Sequence, residues 1–103
     1  MISKVVRDGK VAVLYSPGFG AGWYTWNPEH PEIVFDPMIV DFIENGDLGK
    51  LENYMTMRYP GMYLGGLGDL TIEWIPEGTL FRIHEYDGNE SIEIKEDLNW
   101  MMA

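Results

Sequence analysis

From Leu70 onward the chain alternates apolar and polar residues with a period of two, and two turn signals interrupt the run without breaking its phase. Leu70, Ile72 and Trp74 alternate with Thr71 and Glu73, Pro76-Glu77-Gly78-Thr79 reads as a four-residue turn, Phe81 and Ile83 resume the pattern, and Asp87-Gly88 reads as a two-residue hairpin turn. If each turn joins neighbouring strands, Trp74 faces Phe81, Ile72 faces Ile83, Ile83 faces Ile92 and Phe81 faces Ile94. Every large apolar side chain then falls on one face. The other face carries Glu73, Arg82 and Glu93 side by side, with Thr71, His84, Tyr86 and Ser91 nearby. The pattern predicts a three-stranded antiparallel meander.

A second hairpin signal, Asp8-Gly9, separates the β-prone runs Ser3 to Arg7 and Lys10 to Tyr15 and pairs Val6 with Val11 and Val5 with Ala12. Apolar groups on both faces imply strands covered on each side. Asp36-Pro37 reads as an N-cap followed by proline at the first helical position, with Met38, Ile39, Phe42 and Ile43 at helical spacing up to Gly46. Asp47 caps a second helix carrying Leu48, Leu51, Tyr54, Met55 and Tyr59, which Pro60-Gly61 ends. The expected fold is α+β: an antiparallel sheet of about five strands, made of the N-terminal hairpin and the C-terminal meander, packed against two short helices. Residues 1–103 are expected to form a single compact domain, because a chain of 103 residues with 46% hydrophobic residues can bury a sizeable core.

The absence of cysteine rules out disulfides, thiolate nucleophiles and thiolate metal sites. The start, Met1-Ile2-Ser3-Lys4, has no apolar signal region, and no run approaches the roughly 20 apolar residues of a membrane span. A cytoplasmic location and no membrane partner are expected. The formal charge of −10 opposes direct nucleic-acid binding. It is unevenly spread: residues 1–35 hold three basic and three acidic side chains, 36–68 two and five, and 69–103 two and nine. Two isolated histidines, His30 and His84, and no recognisable catalytic or metal motif argue for a protein that is not an enzyme, with no catalytic residue, metal or cofactor assigned.

The strongest ligand candidate is the loop Ser16-Pro17-Gly18-Phe19-Gly20-Ala21-Gly22-Trp23-Tyr24-Thr25-Trp26-Asn27. Its glycines allow close backbone approach and its successive amides can cradle an anion, while the aromatics can stack on a planar ring. It matches neither a dinucleotide fingerprint nor a P-loop. A small-ligand site is expected from Gly18, Gly20, Gly22, Trp23, Tyr24 and Trp26, with Arg82 as anion partner and His84 beside it. Gly65-Gly66-Leu67-Gly68-Asp69 would supply a second wall if the two loops meet. The plainer readings are a wide turn whose aromatics plug the sheet and, for Glu73, Arg82 and Glu93, a cross-strand ion-pair ladder.

The alternative site is the C-terminal acidic cluster Glu85, Asp87, Glu90, Glu93, Glu96 and Asp97, which could mimic nucleic-acid charge and block a basic groove on a host protein. A solvated, solubilising face is the plainer reading of the same residues.

The phrases VLYSPGFGAGWYTWN, VFDPMIVDFIE and IEWIPEGTLFRIHEYDGNESIE resemble a family of short proteins encoded by bacteriophages and prophages, over nearly the whole chain. That family has no established activity, so the resemblance transfers no site residue. It implies a setting: an accessory protein in the cytoplasm of a bacterial host, antagonising host defence. Two readings follow, a non-enzymatic binder of a small, nucleotide-like host signal and an acidic inhibitor of a host protein. A homo-oligomer with a shared pocket stays open for the first.

Overall fold

In the computed structural model, which describes residues 3–18 and 22–94, the elements run in the order β1 (Val6–Arg7), β2 (Lys10–Tyr15), a 3-10 helix (Pro31–Phe35), α1 (Pro37–Glu44), α2 (Leu48–Arg58), a 3-10 turn (Leu67–Asp69), β3 (Thr71–Pro76), β4 (Phe81–Tyr86) and β5 (Asn89–Ile94). The fold is α+β, with five strands and two α-helices among the described residues. The strands form two sheets: an antiparallel sheet of order β1-β2-β3 and a two-stranded sheet of β4 and β5.

Both Asp-Gly hairpins form in the register their sequence predicts. Val6 pairs with Val11 in the first, and Phe81 with Ile94 and Ile83 with Ile92 in the second. Asp8 and Gly9 have φ of 51° and 76°, Asp87 and Gly88 of 52° and 85°. Positive φ at both central positions gives the turn whose twist matches that of the strands, and Asp-Gly is among the few pairs that accept it.

The expected meander does not form. β3 pairs with β2, from Lys10↔Pro76 through Val11↔Ile75, Ala12↔Trp74, Val13↔Glu73 and Leu14↔Ile72 to Tyr15↔Thr71. Trp74 and Ile72 therefore face Ala12 and Leu14 rather than Phe81 and Ile83. The reason lies in β2: Val11, Ala12, Val13 and Leu14 are all buried, so this strand must be central, and β1 with its two paired residues covers only part of one edge. At the far end of β3, Pro76 lacks an N–H, the N–H of Glu77 donates to the Gly9 carbonyl at 2.9 Å, and Gly78 turns the chain at φ 88°. The predicted turn is there, yet it carries the chain from one sheet to the other.

Both helices begin where predicted. The Asp36 carboxylate accepts from the Met38 N–H at 2.9 Å and Asp47 from the Lys50 N–H at 3.1 Å. Ile39 and Val40 of α1, and Leu51 and Met55 of α2, enter a core shared with Val11 to Leu14, Trp23, Ile33, Val34, Tyr59, Met62, Leu67 and Ile75. Met38 and Leu48, expected on the apolar stripes, are about half exposed. An exposed bidentate ion pair, Arg7 to Glu44 at 2.6 and 2.7 Å, ties the first hairpin to the end of α1. The Arg7 guanidinium holds the Glu44 carboxyl below its ordinary range. Among the described residues no helix is long and apolar enough to cross a membrane.

Candidate functional site

The Gly-aromatic loop does cradle an anion, and the anion is the chain's own Glu90. Ser16 is the first residue after β2, where the strand ladder ends and its N–H needs a new partner. That N–H donates to Glu90 Oε1 at 2.9 Å. Glu90 Oε2 accepts from the N–H groups of Trp23 (3.1 Å) and Thr25 (2.7 Å) and from the Thr25 hydroxyl (2.8 Å). Glu90 closes the contact by donating its own N–H to the Ser16 carbonyl at 2.9 Å. Four donors on two oxygens satisfy a fully buried carboxylate that pairs with no cation among the described residues.

The two Gly-rich segments meet behind this cage. The Ser16 hydroxyl donates to the Gly66 carbonyl at 2.8 Å. Asn27, also buried, donates to the carbonyls of Trp23 and Tyr63 and accepts the Tyr63 N–H. A Cβ on Gly18 would overlap the Asp69 side chain, and one on Gly22 would lie 2.6 Å from the Trp26 ring. Gly22 is therefore needed where a backbone must pass an indole. Trp26 packs on Tyr63 with ring centroids 5.2 Å apart and donates Nε1–H to Glu85 at 3.2 Å.

These contacts redistribute the expected site residues. Trp23 is fully buried and cannot stack on a ligand; it is core, as the plainer reading had it. Gly18 serves close packing against Asp69 of the second Gly-rich segment, and Gly22 close packing against Trp26 within its own loop. Glu90 does not belong to an exposed acidic surface, since the cage takes it inside. Glu93 is bound by Arg82 at 3.0 to 3.1 Å, whereas Glu73, expected beside Arg82, faces Val13 in the other sheet. Only Arg82 and Glu93 remain of the predicted ladder. Glu85 holds Trp26, Asp87 sits in its hairpin turn, and His84 is exposed across from Ser91. Gly20, Glu96 and Asp97 lie outside the described residues.

Tyr24 and Arg82 do come together. They line a cavity of about 250 Å³ with Pro31, Val34, Phe35, Phe81 and Ile83. Its walls belong to separate elements: the loop and the 3-10 helix on one side, β4 on the other. Phe35 and Phe81 meet edge to face, 6.1 Å between centroids, and Lys4 Nζ stands 4.5 Å above the Phe35 ring. Aromatic walls and two nearby cations suit a planar anion. A wider groove of about 390 Å³, lined by Arg7, Asp8, Lys10, Glu44 and Trp74, also holds a guanidinium paired with a carboxylate, but it offers one aromatic ring, already 5.1 Å from Arg7, where the smaller cavity offers three. The smaller cavity is the better candidate.

Searches against protein-family models, curated proteins and solved structures return no match. Neither a family nor a relative assigns a role to these residues, and the functional reading rests on the cavity.

Sequence reasoning missed two buried carboxylates. For Glu90 the signal was present: the Asp87-Gly88 register puts it opposite Glu85 and on the same strand face as Ile92 and Ile94. A like-charge pair on an apolar face forces one carboxylate to find donors elsewhere. The second is Asp36, which besides capping α1 accepts the hydroxyls of Tyr54 (2.7 Å) and Tyr59 (2.6 Å). Burial first, and then the bond to Asp36, pushes both phenols above their ordinary pKa.

Proposed function

We propose that the protein is a non-enzymatic binder of a small planar anion, held in the cavity between the loop, the 3-10 helix and β4. The observation that carries this reading is the convergence of Tyr24, Phe35 and Phe81 with Arg82 around one space of about 250 Å³. Drug-sized sites span roughly 300 to 1,000 Å³, so this one suits a single ring system with its anionic group. Tyr24, Phe35 and Phe81 supply ring faces and edges. Arg82, exposed and paired with Glu93, exchanges that partner for the ligand's carboxylate or phosphate. The cage formed by the loop is filled by Glu90, so the ligand's charge falls to Arg82, with Lys4 near by. In the setting that the phage-like phrases imply, the ligand is a nucleotide-like host signal and its capture antagonises host defence.

The test is a titration followed by two-dimensional NMR, with adenosine monophosphate and benzoate as probes. Saturable shifts confined to Tyr24, Phe35, Phe81 and the Arg82 side chain are expected for at least one of them. Shifts for neither, or shifts spread over the surface, would remove the cavity as the site.

A further inference from the structure

We infer that the backbone at Ser16 and at Trp23 to Thr25 forms a carboxylate receptor in its own right, with the Glu90 side chain as its resident ligand. Three of its four donors are backbone N–H groups, of Ser16, Trp23 and Thr25, so their direction is set by the backbone path at those residues and not by the occupant. The fourth, the Thr25 hydroxyl, shares its residue with one of them. Neighbouring contacts fix that path independently of Glu90: the Ser16 hydroxyl on Gly66, the Asn27 amide on Trp23 and Tyr63, and the close packing of Gly22 against Trp26. The occupant arrives from a different element, 65 to 74 positions away in sequence. All four donors bond to carboxylate oxygens, two of which must be reached at once, so the recognised group is a carboxylate with its two acceptor oxygens.

An added carboxylate should therefore refill the cage when the side chain is cut back, and its size should match the cut. Glu90→Ala removes an acetate-sized fragment and Glu90→Gly a propionate-sized one. Thermal unfolding of both variants and of the intact protein is compared in sodium acetate, sodium propionate and sodium chloride at equal ionic strength. Acetate is expected to raise the midpoint of the alanine variant by several degrees, saturably, and to move the Ser16, Trp23 and Thr25 amide protons downfield. Propionate should do the same for the glycine variant, and the intact protein should respond to neither beyond chloride. An equal response in all three proteins, or none in either variant, would overturn the inference. If the variants do not fold in chloride, refolding from urea reads the same site: recovery with the size-matched carboxylate supports the receptor, and no recovery with it overturns it. Glu90 does not line the ligand cavity, so the titration of the intact protein with its own probes tests that site separately.

Discussion

The Glu90 carboxylate and the Ser16 N–H, 74 positions apart in sequence, meet at 2.9 Å in the interior. This contact joins the hairpin of β4 and β5 to the end of β2, a junction that strand pairing does not make, since the two sheets are separately hydrogen-bonded. The hairpin in turn carries Phe81, Arg82 and Ile83 to the cavity, so the buried carboxylate anchors one of its walls.

Replacing Glu90 by glutamine keeps the shape but turns one acceptor into an NH₂ facing donors. The expected loss of stability is roughly 2 to 4 kcal/mol, in the range for stranding buried polar partners. Urea unfolding of Glu90→Gln measures it. A change within about 0.5 kcal/mol, the scale of an ordinary surface substitution, would contradict the cage.

Stability should fall in alkali. Tyr54 and Tyr59 are raised above their ordinary pKa of 10.0 by burial and by Asp36, and Tyr15 is raised by burial and Glu73. A raised folded-state pKa means the folded chain keeps protons that the unfolded chain releases, so this contribution is intact below pH 10 and is lost as pH rises beyond it. Denaturant midpoints taken from about pH 8 to 11 should drop above pH 10. With Tyr54→Phe and Tyr59→Phe combined, the drop should be shallower.

Glycine substitutions separate three physical situations. At Gly68 a Cβ meets open space, so Gly68→Ala should change stability by no more than about 0.5 kcal/mol. Gly9→Ala also finds space, but φ of 76° makes it cost about 1 to 2 kcal/mol. Gly22→Ala drives its methyl into the Trp26 ring, and roughly 1 to 3 kcal/mol is expected for such overpacking. Thermal midpoints of the three variants should rank in that sense, with Gly68→Ala nearest the parent.

Local signals in the sequence were reliable where the physics is local. The Asp-Gly turns define the registers of Val6 with Val11 and Ile83 with Ile92, and Asp36 and Asp47 mark the starts of both helices. The pairing of β2 with β3 depends instead on which strand must be covered on both edges, and about sixty intervening residues separate the partners. A period-two pattern fits that pairing and a meander equally well. Among the site residues, Tyr24 and Arg82 were legible as an aromatic and a cation, whereas Phe81 read only as an apolar strand residue and Phe35, just before the Asp36 cap, carried no signal. The glycines and Trp23 looked like a ligand cradle because a loop built to hold an internal carboxylate has the same chemistry as one built for an external anion.

Removing the Arg82 guanidinium distinguishes binding from folding. Arg82 is exposed and its ion pair with Glu93 is worth at most about 1 kcal/mol, so Arg82→Ala should leave the thermal midpoint nearly unchanged. Affinity for an anionic ligand should fall about tenfold or more, as for loss of a charge-assisted hydrogen bond of about 1.5 to 3 kcal/mol. Calorimetric titration of parent and variant with whichever probe binds the parent checks this.

The central claim is that the cavity beside Tyr24 and Arg82 holds a small planar anion, and native mass spectrometry of protein purified from bacterial cells tests it most directly. The predicted result is an added small-molecule mass on the intact protein, released on unfolding and missing from Arg82→Ala. A protein that is ligand-free as isolated, or an added mass that persists unchanged in that variant, would contradict it.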